Sequence, residues 1–129
     1  VETTEENMPA IVITSNREQE LPTAFKGRCI YHYIQFPEAD TMQQIVEKHY
    51  PKLDDRVVDV ALEVFYHLRG LGLERAPTTR ELLNWLKYVK PMAPAEATTK
   101  IEALEGLGAL IKTQPDLERV ARDQRLRNR

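Results

Sequence analysis

The spacing of apolar residues divides the chain near Pro37 into an extended part and a helical part. Before Pro37, the apolar run at residues 10–14 predicts a strand covered on both faces, and the alternating run at residues 30–36 predicts a second strand. Between these runs, Thr23–Lys26 predicts a short helix that Gly27 ends. Two strands are too few to form a stable sheet, so we expect this part to belong to a larger α/β core.

After Pro37, apolar residues recur at the intervals of three and four that mark one face of a helix. The first stripe ends at Tyr50, and the second follows Asp54, a candidate N-cap, and continues to Gly70. The two stripes consist of Met42, Ile45, Val46, His49, Val57, Val58, Ala61, Leu62, Phe65 and Leu68. They predict two amphipathic helices.

Capping signals predict three further helices. Thr78 and Glu81 have the spacing of a capping box, which predicts the start of a third helix. Its predicted buried face consists of Leu82, Leu83, Leu86 and Val89. Thr99 and Glu102 repeat the same spacing and predict the start of a fourth helix, and a last short helix is expected after Pro115.

The predicted fold is therefore mostly α. Residues 1–37 contribute two strands of an incomplete α/β core, and residues 38–129 form a helical bundle. The chain begins at Val1 with a polar and acidic segment, which we interpret as the end of a loop in a longer protein.

Composition narrows the classes of function. The net charge of -2 and the pI near 6.0 argue against a protein built chiefly to neutralise nucleic-acid phosphates.

The single cysteine, Cys29, has no partner for an internal disulfide, which favours a reducing compartment such as the cytoplasm. The three histidines fall on different predicted elements, so no metal site is expected. No apolar run approaches the roughly 20 residues that span a bilayer, so no membrane insertion is expected.

Three polar residues are candidates for chemistry. Asn16 follows the first predicted strand, at the edge where open α/β sheets place their ligands. Arg28 precedes the second predicted strand, and Arg80 lies in the first turn of the third helix, where the helix dipole favours anions. Each residue also has a plainer interpretation, because asparagine is common in turns and arginine is common on solvated surfaces.

The segment IVITSNREQELPTAFKGRCIYHYIQFP resembles the second half of the AAA+ ATPase core, and most closely its MoxR-like branch. The later segments TTRELLNWL and LGALIKTQPDLERV are similar to parts of the helical lid of the same family. The resemblance extends from about Pro9 to Val120. It implies that residues 1–37 end an α/β nucleotide-binding core and that residues 38–129 form the lid, with a hinge at Phe36 and Pro37.

The resemblance also implies roles for the three candidates. Asn16 corresponds to sensor 1, which orients the attacking water, and Arg28 corresponds to the arginine finger, which reaches the nucleotide of a neighbouring subunit. Arg80 corresponds to sensor 2, the lid arginine that contacts nucleotide within its own subunit. The sequence departs from the family at Lys26, where relatives often have a first arginine.

A role in ATP hydrolysis implies ATP and Mg²⁺ as cofactors, both bound mainly by residues upstream of this chain. The 129 residues contain no GxxxxGK[ST] loop and no apolar strand ending in paired acids, so this span alone is expected to be inactive. The family implies a homo-oligomeric ring, with a hexamer as the expected size. It also implies chaperone-like remodelling or assembly of other proteins, with a protein substrate or a von Willebrand factor A-domain partner.

Two alternatives without nucleotide chemistry remain open. The chain is also compatible with a stand-alone helical module that binds other proteins. A DNA-binding helical domain, with residues 79–90 in the major groove, is disfavoured because this helix mixes Arg80, Lys87 and Lys90 with Glu81.

Overall fold

The computed structural model describes residues 4–15, 21–123 and 126 of the chain. These residues form α-helices and short 3-10 helices joined by loops. The α-helices are α1 (Thr23–Lys26), α2 (Ala39–His49), α3 (Asp55–Arg69), α4 (Thr79–Val89), α5 (Pro94–Glu102) and α6 (Gln114–Arg122). The 3-10 helices are Glu5–Asn7 and Leu107–Ala109. The prediction of a mostly α fold is therefore confirmed.

The chain divides into two compact units, residues 1–35 and residues 36–129. The second unit contains α2 to α6 and the hydrophobic core. Within its described part, no helix combines the length and apolar character that crossing a membrane requires, and the same holds for α1.

Helix starts in the second unit follow the capping signals of the sequence. The Asp54 side chain accepts a hydrogen bond from the backbone N–H of Arg56 at 3.0 Å, which caps α3 as predicted. At α4, Thr78 and Glu81 form the complete predicted capping box. The periodic pattern and the caps thus agree, and this agreement specifies both helices locally.

The core forms around α3, which packs against α2 and α5. Its buried apolar side chains come from every α-helix of the second unit and from the segments that follow α5 and α6. They are Met42, Val46, Val57, Val58, Ala61, Leu62, Val64, Phe65, Leu68, Leu82, Trp85, Leu86, Val89, Ala97, Ile101, Leu110, Ile111, Val120 and Leu126. Most predicted stripe positions are therefore confirmed, although His49 is exposed and Ile45 and Leu83 are only half-buried. Trp85, which was not among the predicted buried positions of α4, is fully buried and donates its indole N–H to the Glu105 carbonyl at 2.8 Å.

The two predicted strands do not form in the described residues. Residues 10–14 and 30–36 have no regular secondary structure, and several of their large apolar side chains face solvent. Val12 is 87% exposed and Ile34 is 78% exposed. A strand is held by hydrogen bonds to a neighbouring strand, and the described residues of the first unit provide none. The short helix α1, ended by Gly27, is confirmed.

The fourth predicted helix begins earlier than its proposed capping box. Pro94 occupies the first turn of α5, a position that tolerates its missing N–H, and Ala93 is the N-cap. Thr99 lies inside the helix and donates its hydroxyl to the Ala95 carbonyl at 2.9 Å. The chain leaves helical geometry after Glu102, so the apolar residues beyond it lie in turns and in the 3-10 helix Leu107–Ala109.

Candidate functional site

The three candidate residues do not form one site in the described structure. Asn16 lies outside the described residues. Arg28 belongs to the first unit and Arg80 belongs to the second. Each arginine is therefore considered in its own surroundings.

Arg28 follows α1 in a turn closed by its own backbone. Its N–H donates to the Phe25 carbonyl at 3.2 Å, and the next N–H, from Cys29, donates to the Lys26 carbonyl at 3.2 Å. The Arg28 side chain is exposed and forms no ion pair with the part of the chain that the structure describes. Its guanidinium is thus presented to solvent from a short, hydrogen-bonded turn.

Arg80 is the second residue of α4 and its side chain is exposed. Within the described residues it takes part in no salt bridge, whereas its neighbour Glu81 does. Glu81 is buried and accepts a hydrogen bond from the Thr78 backbone N–H at 2.8 Å. It also lies 3.2 Å from the guanidinium of Arg75. Arg80 and Glu81 therefore have different surroundings at the helix start, because Arg80 faces solvent and Glu81 is buried.

The capping box changes the expected electrostatics at the N-terminus of α4. Thr78 and Glu81 each accept a backbone N–H from the other, so two donors of the first turn already have partners. The carboxylate of Glu81 also offsets the positive end of the helix dipole. The attraction of this surface for an anion therefore depends mainly on the Arg80 guanidinium, since the capping box weakens the contribution of the helix terminus.

The loop that leads into α4 is held by a buried carboxylate. Asp116, on α6, is 1% exposed, and its two oxygens accept hydrogen bonds from the backbone N–H groups of Glu74 at 2.8 Å and Arg75 at 3.0 Å. Its own N–H donates to the Thr113 hydroxyl at 3.3 Å, which caps α6. The carboxylate thus pairs two loop donors that have no helical partner.

The pKa of Asp116 lies below its usual value of 3.8. Burial by itself raises the pKa, because it disfavours the charged form. The hydrogen bonds from the backbone of Glu74 and Arg75, the hydroxyl of Thr113 and the charge of Arg119 favour the carboxylate and outweigh burial. Asp116 is therefore held ionised as an acceptor for the loop.

Two arginines hold the end and the beginning of the same loop, which connects α3 to α4. Arg69, in the last turn of α3, donates from Nη1 to the carbonyl of Pro77, the residue before the N-cap of α4. Arg119, on α6, donates from Nη1 to the Gly72 carbonyl at 2.9 Å. The backbone between α3 and α4 is thus fixed at its start, middle and end, which gives Arg80 a rigid support.

The sequence patterns did not predict that Asp116, Arg69 and Arg119 support the loop before α4. Asp116 has one local signal, because Thr113 precedes it by three residues, as in half of a capping box. Its long-range role has no signal in the sequence, since Glu74 and Arg75 lie more than 40 residues away. Likewise, no sequence pattern predicts that Arg69 donates to the Pro77 carbonyl.

The exposed side of α4 also bears on the DNA-binding alternative. Arg80, Asn84, Lys87 and Tyr88 are exposed at intervals of three and four, while Glu81, the acidic residue of the helix, is buried. The mixture of charges expected from the sequence is therefore separated in space, and the solvent side of α4 is basic.

Among the described residues, no group of three or more His, Cys, Asp and Glu side chains comes together that could hold a metal ion. No family model, curated protein or solved structure matches this chain.

Proposed function

We propose that this chain is a fragment of an ATP-hydrolysing AAA+ ring protein of the MoxR-like kind, containing the C-terminal half of the core, with sensor 1 and the arginine finger, and the helical lid. The observation that carries the proposal is the position of Arg80. It is an exposed cation at the start of a capped helix, on a loop that Asp116, Arg69 and Arg119 hold from three sides. A lid arginine that contacts phosphate requires such a combination of accessible charge and rigid support.

The role proposed for Arg28 is to complete the nucleotide site of a neighbouring subunit. A guanidinium remains charged at any physiological pH and can contact two phosphate oxygens as negative charge develops on them. The exposure of the Arg28 side chain supports the proposal, because a finger must reach beyond its own subunit. Hydrolysis would then require assembly of a ring.

The role proposed for Asn16 is to orient the attacking water. Its amide can donate to a phosphate oxygen and accept from water without adding negative charge beside the phosphates. This role rests on the resemblance of the TSN segment alone, since Asn16 lies outside the described residues.

The remaining parts of the site belong to sequence preceding Val1 in this proposal. A P-loop and an acidic strand end would bind ATP and Mg²⁺ there. The assembled protein would act as a cytoplasmic, chaperone-like ring, with a hexamer as the expected form. Its target would be a protein substrate or a von Willebrand factor A-domain partner.

The first test is the coding sequence upstream of Val1. A P-loop within the preceding couple of hundred residues would support the ATPase, and a start codon just before Val1 would overturn it. The second test is ATP hydrolysis by the full-length protein with Arg28→Ala. We expect hydrolysis to be lost while ATP binding is retained, because the finger acts on the nucleotide of another subunit.

A mixing experiment distinguishes the loss of an arginine finger in Arg28→Ala from a folding defect. Arg28→Ala subunits, mixed with subunits defective only in the P-loop, should regain part of the activity, because an intact pocket then meets an intact finger. Arg56→Ala is the matched control, since Arg56 is also exposed but corresponds to no part of the proposed site. Unchanged turnover in Arg28→Ala would contradict the proposal.

A protein-binding module is the second candidate, and the exposed apolar side chains of the first unit favour it. Ile11, Val12, Ile30 and Ile34 are all more than three quarters exposed. Exposed apolar residues of this kind often mark surfaces that bind another protein. Binding of a protein that is lost on Val12→Asp, without any ATP binding by the full-length protein, would favour this function over the ATPase.

DNA binding is a weaker alternative, which the basic side of α4 keeps open. Its test is the retention of the protein on duplex DNA at increasing salt, because phosphate contacts weaken as salt rises. Failure to retain DNA even at low salt would dismiss this function.

A further inference from the structure

We propose that Arg69 is a positioning residue that connects the first residues of the helical unit, at Phe36, to the N-terminus of α4, where Arg80 lies. The connection itself rests on the contacts of Arg69. Its consequence for nucleotide rests on the function proposed above.

The first contact of Arg69 is with the beginning of the helical unit. Its guanidinium carbon lies 3.4 Å from the centroid of the Phe36 ring, so the cation covers the face of the ring. The Phe36 ring also packs against Phe65 at 6.1 Å and against Tyr66 at 6.4 Å between ring centroids. The Tyr66 hydroxyl donates to the Pro37 carbonyl at 2.6 Å. Phe36 and Pro37 are thus fastened to the last turns of α3.

The second contact of Arg69 is with the end of the loop before α4. Its Nη1 donates to the carbonyl of Pro77, which is a buried residue. Thr78, the N-cap of α4, follows directly, and Arg80 lies two residues further. One side chain therefore spans from the first residue of the unit to the peptide that precedes the helix of Arg80.

Only arginine can make both contacts at once. The planar guanidinium stacks on Phe36 with its face and donates to Pro77 from its edge, whereas a lysine ammonium is a compact charge without a planar face. Burial lowers the pKa of Arg69 from its usual value, and the nearby Tyr66 opposes that effect. The charge is thus partly withdrawn from water, which strengthens its interaction with the ring.

This arrangement revises the expected hinge. Ring packing, a cation–π contact and a hydrogen bond hold Phe36 and Pro37 against α3. In the proposed function, a hinge that moves the lid would therefore lie before Phe36. A displacement of the chain at Phe36 would reach the start of α4 through Arg69, so that Arg80 follows the movement of the linker.

Hydrogen exchange of the 129-residue chain tests the connection without any nucleotide. The amide of Leu82 donates to the Thr78 carbonyl at 3.0 Å and reports on the first turn of α4. We expect Phe36→Leu and Arg69→Lys each to raise its exchange rate about tenfold, as the loss of one charge-assisted interaction would. The exchange rate of Leu82 in the double variant should be close to that in either single variant, because both changes break the same connection.

The control is Arg56→Lys, which alters an exposed arginine on the same helix and should leave Leu82 unchanged. If Phe36→Leu leaves the exchange of Leu82 unchanged, no connection exists and the proposal is wrong. It is also wrong if both variants accelerate exchange equally in all helices, since that is global destabilisation.

The full-length protein tests the consequence for nucleotide. We expect Arg80→Ala and Arg69→Lys each to raise KM for ATP more than they change kcat, and their combination to resemble Arg80→Ala alone. If Arg80→Ala raises KM while Arg69→Lys does not, the positioning role is overturned. If Arg80→Ala leaves KM unchanged, the lid role in the proposed function fails, and hydrogen exchange still decides whether the connection exists.

Discussion

The carboxylate of Asp116 accepts a 2.8 Å hydrogen bond from the backbone N–H of Glu74, which lies 42 residues earlier in the chain. Its second oxygen accepts the N–H of Arg75 at 3.0 Å. Loop donors such as these must find a partner, because an unpaired polar group in the interior is costly. A single side chain of α6 thus holds the middle of the loop that supports α4.

We expect Asp116→Asn to destabilise the helical unit. The amide offers one acceptor where the carboxylate offers two, and its NH₂ group would face a backbone donor. The midpoint of urea unfolding, followed by the fluorescence of the buried Trp85 and by circular dichroism, should fall. Asp59→Asn, at an exposed position of α3, should leave it nearly unchanged. Equal midpoints for the two variants would remove the structural role of Asp116.

The depressed pKa of Asp116 predicts a specific dependence of stability on pH. A carboxyl group whose pKa is lower in the folded state than in the unfolded state stabilises fully above the unfolded value, here near 3.8, and loses its contribution as pH falls through the folded value. The difference in unfolding free energy between the wild type and Asp116→Asn should therefore be constant near neutral pH and shrink below 3.8. Urea titrations from pH 2 to pH 7 measure it. A difference that persists at the lowest pH would contradict the assignment.

Three glycines of the second unit, Gly72, Gly106 and Gly108, provide a graded test of backbone strain and space. Gly106 has φ +74°, and a Cβ there would lie 3.3 Å from both the Trp85 and the Tyr88 rings. We expect Gly106→Ala to lower the free energy of unfolding by about 1–3 kcal/mol. Gly72 has φ +67° with open space around it, so Gly72→Ala should cost less, about 1–2 kcal/mol.

Gly108 is the matched control for this series, because it has neither a positive φ nor any atom within 4 Å of an added Cβ. We expect Gly108→Ala to change the free energy of unfolding by less than about 0.5 kcal/mol. Denaturant unfolding of the three variants gives the order. If Gly108→Ala is as harmful as Gly106→Ala, local strain at Gly106 is not the cause.

The proposed role of Arg80 has a close internal control. Arg56 is also an exposed arginine at the second position of a helix with a side-chain cap. In the full-length protein, we expect Arg80→Ala to weaken ATP binding at least about tenfold, because a charge-assisted hydrogen bond to phosphate is lost. Arg56→Ala should leave the dissociation constant unchanged, as measured by equilibrium titration with labelled nucleotide. Equal effects of the two variants would indicate a general effect of net charge.

The local elements of the helical unit could be predicted because their signals lie close together in the chain. The Asp54 side chain caps α3 by accepting a hydrogen bond from the backbone N–H of Arg56, two residues later. Thr78 and Glu81 form a capping box across three residues. The start of α5 was missed because Thr99 and Glu102 have capping spacing inside a helix that Pro94 had already begun. A spacing rule cannot tell a first turn from a later one.

Strands are predicted less safely, because their hydrogen bonds go to other segments. The runs at residues 10–14 and 30–36 have the apolar pattern of strands, yet they form none in the described residues, since no neighbouring strand is present there. The apolar pattern indicates that these residues could form strands. It does not indicate whether a neighbouring strand is present to accept and donate their backbone hydrogen bonds.

Sequence patterns were enough to predict the presence of the helices in the second unit, the caps of α3 and α4 and most of the buried positions, because period and capping depend on residues a few positions apart. The support of Arg80 depends on contacts that form only in the folded chain. Asp116 reaches Glu74 and Arg75 across more than 40 residues, and Arg69 reaches Phe36 across 33 residues and Pro77 across eight. Such contacts depend on how the helices pack, and packing is set by the shapes of all the buried side chains together.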